Sequence, residues 1–172
     1  MVCSTGGRTA ICSRLRASYQ CYLLRSDTPS RRSPYFVLIE RALRDEGTSH
    51  HYRPPNPYAR LDPPLRDRIE ETCQGVSRPV YTGATWTTDA PFRETEAAIE
   101  RARSEGILAV EMEAAALYSF ATTRDRSVVC FAHVTNQMGQ VEEDFEKGDV
   151  NGSRDALDVI DAAAVAWRSM EQ

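Results

Sequence analysis

The chain has 172 residues, with 21 Lys and Arg against 25 Asp and Glu for a formal balance of −4, and 41% of its residues are apolar. That length suits one domain, and no apolar run approaches the roughly 18 residues that a membrane span needs. A membrane protein, a fibrous protein and a wholly disordered chain are set aside, and a cytoplasmic location is expected.

The charge is unevenly spread. Residues 1–34 hold Arg8, Arg14, Arg16, Arg25, Arg31 and Arg32 against the single acid Asp27, a balance of +5 that leaves −9 for residues 35–172. The same segment carries Cys3, Cys12 and Cys21, so composition changes near Pro34. Basic, Ser-rich and acid-poor composition suits an organelle transit peptide or nucleic-acid contact. Gly6, Gly7, Pro29 and the scattered arginines make neither a helical nor a strand period, however, so a poorly ordered tail or a misassigned start of the gene is the expectation, with no nucleic-acid partner. Five cysteines, an odd number without CxxC spacing, argue against a disulfide framework and a zinc site and fit a reducing compartment.

From Tyr35 the pattern becomes that of an α/β domain. The run Tyr35-Phe36-Val37-Leu38-Ile39 predicts a buried strand. Asp62-Pro63-Pro64 predicts a capped helix start, with Leu65, Ile69, Cys73 and Val76 at helical spacing. Pro79-Val80-Tyr81 reads as a short strand leading into a loop from Thr82 to Asp89. A helix is expected from about Pro91, its face formed by Ala98, Ile99 and Ala102 and its end set by Gly106. Ile107 to Val110 predicts an interior strand, Ala114 to Tyr118 a helix, Val128 to Val134 a strand, and Leu157, Ile160, Ala164 and Trp167 a last helix behind the cap candidate Ser153. Strands alternating with helices predict an α/β fold with a mixed, largely parallel sheet flanked by helices.

In open α/β sheets ligands collect beyond the carboxyl ends of strands, which directs attention to the residues after Val110 and Val134. If the chain stays extended there, Glu111 and Glu113 share one face and turn toward one crevice beside Met112. The alternative is that both acids simply complement a helix N-terminus.

Val110-Glu111-Met112-Glu113-Ala114-Ala115 resembles the signature of the nucleoside phosphorylase family that includes uridine phosphorylase and hexameric purine nucleoside phosphorylase. Arg44 to Ser49 with His51-Tyr52, Trp86 to Thr95, and Asp144 to Gly148 resemble the same family in the same order, so the likeness runs from about Val37 to Ala166. It implies a three-layer α/β/α fold and phosphorolysis of a nucleoside to free base and ribose 1-phosphate, with phosphate as co-substrate and neither metal nor organic cofactor. It also implies a homo-oligomer, a dimer-based hexamer in the family. By position, Glu113 is similar to the carboxylate that grips the ribose hydroxyls, Met112 to the residue packed on the ribose, Glu111 to an acid lining the pocket in support, and Phe92 to the aromatic of the base pocket; Trp86 is a weaker aromatic candidate.

Where purine-specific members and related nucleosidases carry an Asp, this chain has Asn136, an amide that hydrogen-bonds a base edge without acting as a general acid, which leans toward the uridine type. The family's first strands, Gly-containing phosphate loop and phosphate-holding arginines are not recognisable before Tyr35. Ser4 to Arg8 looks like such a loop only superficially, with no strand expected before it and no helix after it. The domain over residues 35–172 is therefore read as N-terminally incomplete. A catalytically inactive member that binds nucleoside or assembles with other subunits stands as the alternative, and a hydrolytic nucleosidase as a further one. His50-His51 is expected in a loop or interface role and His133 as a packed strand residue. Arg44 with the Gly47-Thr48-Ser49 turn suits either an anion or a structural role.

Overall fold

The computed structural model describes residues 35–134 and 153–170 in full and four short strands outside them by backbone alone. Three of these precede Tyr35: β1 (Val2–Thr5), β2 (Arg8–Ile11) and β3 (Tyr22–Leu23). A strand thus does stand before Gly6, contrary to expectation, and it is followed by an antiparallel strand rather than a helix, with Thr5 opposite Arg8. The expectation of poor order over residues 1–34 otherwise falls outside the described residues.

The apolar run at Tyr35 opens β4 (Tyr35–Asp45), which continues well past Ile39. Its first five residues are all buried, as an interior strand demands, whereas further on Ala42 and Arg44 are buried and Glu40, Arg41 and Leu43 are half-buried, Leu43 packing against the cluster around Trp86. The change occurs at Glu40, where the register against the neighbouring strand slips. Tyr118 seals the irregularity: its hydroxyl donates to the Ile39 carbonyl at 2.5 Å and accepts the Cys130 amide at 3.2 Å.

One edge of β4 is divided between two partners. After the edge strand β5 (Tyr58–Arg60), antiparallel to Arg41–Leu43, the chain forms helix α1 (Pro63–Cys73), which buries Leu65, Ile69 and Cys73. Asp62 stands at its N-cap, but the side chain makes no cap bond and Pro63 supplies the start. The other edge of β4 is covered along its length by the parallel strand β6 (Val80–Thr88). The stretch expected as a loop from Thr82 is thus strand, because β-branched Thr and Trp86 fit a pleated, buried surface. Gly83 leaves the space that the Leu108 side chain occupies, since a Cβ there would collide with Leu108 Cδ1.

Helix α2 (Glu96–Ser104) begins after Thr95, whose hydroxyl accepts the Ala98 amide, while Pro91–Arg93 form a separate 3-10 turn. It ends at Gly106, whose φ of +75° suits glycine. Strand β7 (Ile107–Glu111) pairs parallel with β6 and leads into α3 (Ala114–Thr123). The expected strand from Val128 breaks at Cys130. Val128–Val129 (β8) pairs with β1, and Phe131–Val134 (β9) pairs antiparallel with Tyr35–Leu38 of β4; Asn136–Gln137 (β10) pairs parallel with β3.

The last helix, α4 (Ser153–Met170), buries Ala156, Val159, Ala163, Ala166 and Trp167 and packs on α1. The expected core residue Leu157 is instead 54% exposed, the helix being rotated so that small alanines meet the sheet side. Along β6, Ala84 and Trp86 pack with Ala102 of α2, while Thr85 and Thr87 turn toward α3, so helices cover both faces of a mixed sheet whose centre, β4-β6-β7, is parallel. The architecture is three-layer α/β/α. No helix among the described residues is long and apolar enough to cross a membrane.

Candidate functional site

The parallel strands β4, β6 and β7 end together at Asp45, Thr88 and Glu111, and polar groups converge beyond them. Glu111 is the centre of this rim. Its Oε1 accepts the hydroxyls of Thr85, at 3.1 Å, and Thr87, and its Oε2 accepts the backbone N–H groups of Glu113 at 2.8 Å and Ala114 at 2.7 Å. The Thr87 hydroxyl in turn accepts the Ala115 amide at 3.1 Å. Glu111 and Thr87 therefore satisfy three of the amide donors that the start of α3 leaves without helical partners. Burial holds the Glu111 carboxyl above the usual carboxylate range, opposed by the hydrogen bonds from Thr87, Ala114, Glu113 and Thr85.

Glu113 differs in every respect. The strand ends at Glu111, and Glu113 takes φ −131° and ψ −31° as the residue before α3, so the alternation of an extended chain is lost and the two acids do not share a face. Its side chain is exposed, and its one hydrogen bond among the described residues is a long contact of 3.3 Å from the Met112 amide. Met112 is half-buried between them.

Two cross-links brace the rim. Trp86, buried in β6 rather than lying in a loop, donates its Nε1–H to Asp45 at 2.8 Å, and the Gly47 amide donates to Asp89 at 3.0 Å. The segments 44–49 and 86–95, both singled out by motif, are thus tied together at the ends of β4 and β6. Phe92, on the 3-10 turn, is 85% exposed and packs on nothing that would make it a core residue. The backbone of Asn136 lies in β10, but its side chain and the segment Asp144 to Gly148 fall outside the described residues.

Thr85 and Thr87 escaped the sequence reading. Their signal was a Thr-x-Thr alternation, legible once Thr82 to Thr88 is recognised as strand.

Arg44 is 8% exposed, and all five of its N–H groups are committed. They reach Ser49 Oγ at 2.8 Å, the carbonyls of Arg53, Pro54 and Asn56, and His50 Nδ1 at 3.3 Å. Its structural role is to fold the loop after β4. His50 and His51 are exposed on the 3-10 turn Thr48–His51. His133 stacks on Phe36 with ring centroids 4.5 Å apart, and its Nε2 has no hydrogen-bond partner among the described residues. Among those residues no group of three or more His, Cys, Asp or Glu side chains is arranged to hold a metal ion.

No curated protein matches the chain. Among solved structures it resembles uridine phosphorylase from Vibrio fischeri ES114, with a TM-score of 0.64 and 21% identity over 86% of this chain, a likeness of fold. The chain spans 58% of the length of that protein. The family model described as the phosphorylase superfamily matches residues 28–165, and the chain, with its three-layer fold and motif-bearing rim, belongs to that superfamily.

Proposed function

We propose that this chain is a nucleoside phosphorylase-type pentosyltransferase in which Glu113 is the catalytic residue that holds the ribose. The observation that carries the reading is the contrast between the two acids of one motif. Glu111 is spent on four donors inside the protein, whereas Glu113 keeps a free, exposed carboxylate at the carboxyl end of β7. One carboxylate accepting two ribose hydroxyls makes charge-assisted hydrogen bonds and fixes the sugar for attack. Phosphate oxygen then bonds to the anomeric carbon as the carbon–nitrogen bond breaks, and the base leaves with the bonding pair and takes up a proton.

Glu111 acts through the backbone of Glu113 and is a positioning residue. Met112 packs on the ribose, Phe92 lines the base site and Asn136 hydrogen-bonds a base edge. The amide at Asn136 in place of an acid favours uridine over purine nucleosides. Phosphate is the co-substrate, with no cofactor, and the working form is a homo-oligomer in the cytoplasm. A second reading, a member that binds nucleoside without turning it over, is favoured by the 85% exposure of Phe92, which leaves the base without a walled platform in this chain alone.

The test is to incubate purified protein with uridine, inosine and adenosine, with and without phosphate. Free base from uridine only when phosphate is present is the expected result. Release without phosphate would assign a nucleosidase, and no release under either condition would assign the silent reading.

A further inference from the structure

A cleft of about 340 Å³ opens at the β5 edge, between the second half of α3 and the loop that Arg44 folds. Arg44, Arg53, Arg60, Tyr58, Ser119 and Thr122 line it, and no acidic residue does. Three features of the cleft lack their complement. Arg44 is a buried cation whose five donors all meet neutral acceptors or an imidazole, and it makes no direct ion pair among the described residues, the Glu46 carboxylate reaching it only through Ser49. Arg53 and Arg60 are exposed, and their guanidinium groups have neither ion pair nor hydrogen bond among those residues. The Ser119 hydroxyl, in a residue 2% exposed, is buried with no hydrogen-bond partner. A buried hydroxyl without a partner is uncommon in a folded protein. Glu105, which accepts the Tyr58 hydroxyl at 3.0 Å, is already matched by Arg101.

The geometry points to a binding site for a small phosphomonoester. Its phosphate group would meet the Arg53 and Arg60 guanidinium groups and the Ser119 hydroxyl, and its organic part would lie against Tyr58 and the prolines of the loop. Arginine's planar fork suits phosphate oxygens, and a dianion complements a lining of three arginines with no acidic residue. The volume falls at the small end of ligand sites and fits a sugar phosphate rather than a polymer. Ser119 lies six residues along α3 from Glu113, a separation of roughly 9 Å by helical rise, so occupancy here is separable from occupancy of the proposed ribose site.

Calorimetric titration of the full chain at low ionic strength with inorganic phosphate, ribose 5-phosphate and, as control, ribose tests the assignment. Both phosphates bind and ribose does not. The double variant Arg53→Glu/Arg60→Glu, altered only at exposed positions, loses at least about ten-fold in affinity, a change of about 1.4 kcal/mol. Ser119→Ala weakens binding several-fold, and Glu113→Ala leaves it at the parent value. Absence of phosphate binding, an unchanged affinity in the double arginine variant, or loss of binding in Glu113→Ala would each overturn the proposal.

Discussion

The carboxylate of Glu111 accepts the backbone N–H of Glu113 at 2.8 Å, so a buried acid sets the backbone of the exposed acid two residues later. Their substitutions should therefore separate stability from turnover. Glu111→Ala strands two threonine hydroxyls and two helix-start amides and should cost on the order of 3 kcal/mol, read from urea unfolding. Glu113→Ala should leave stability within about 0.5 kcal/mol while lowering phosphorolysis roughly 10²-fold or more. Equal loss of stability in the two variants would contradict this division.

Tyr118→Phe should destabilise by about 1–3 kcal/mol although it removes a single oxygen. The cost arises because the Ile39 carbonyl and the Cys130 amide both lose the same buried partner where β4 slips register. Amide exchange at Cys130 should quicken more than at Ile107, which lies in a different strand pair.

Gly83→Ala should cost about 1–3 kcal/mol, since the new methyl would collide with Leu108 Cδ1 in a buried strand pair. Combined with Leu108→Ala, the two changes should be less harmful than the sum of the single ones, a coupling that denaturation of all four proteins measures.

Burial lowers the His133 imidazole below its ordinary value; Asp155 opposes the shift and Arg78 adds to it. The folded state therefore takes up a proton less readily than the unfolded chain, whose histidines titrate near about 6.5. Stability is insensitive to this group above that pH and falls as the pH drops below it. Urea midpoints measured at pH 7.5 and 5.5 should fall more steeply for the parent than for His133→Phe, which keeps the stack on Phe36. Identical slopes would assign the loss of stability to other groups.

The elements legible from sequence are those whose packing is simple. Leu65, Ile69 and Cys73 face one way on α1, and Ile107 to Val110 is buried on all sides, so period and run length sufficed. Where one element serves two environments the pattern misleads. The second half of β4 carries Glu40, Arg41 and Arg44 because its neighbours change there, and three-residue β5 hides behind the Pro-rich stretch from Pro54 to Pro57. On α4 the large Leu157 points outward and alanines point in, a reversal that hydrophobicity counting does not reveal.

For the site, the motif singled out Glu111 and Glu113, but their opposite environments depend on where β7 stops. That follows from Thr85 and Thr87 capturing the first acid, a contact made across 24 to 26 residues of sequence.

The divided edge of β4 also bears on how the chain is made. Residues Tyr35 to Leu38 receive their second-edge partner only from Phe131 to Val134, near the other end of the chain. At ordinary synthesis rates the interval is roughly 5–20 s, during which the most apolar strand of the nascent protein has an unpaired side. Emergence of β9 from the ribosome, rather than completion of the rim that bears Glu113, is then the event that ends this exposure, and a chain stalled before Phe131 would be a natural client for chaperones.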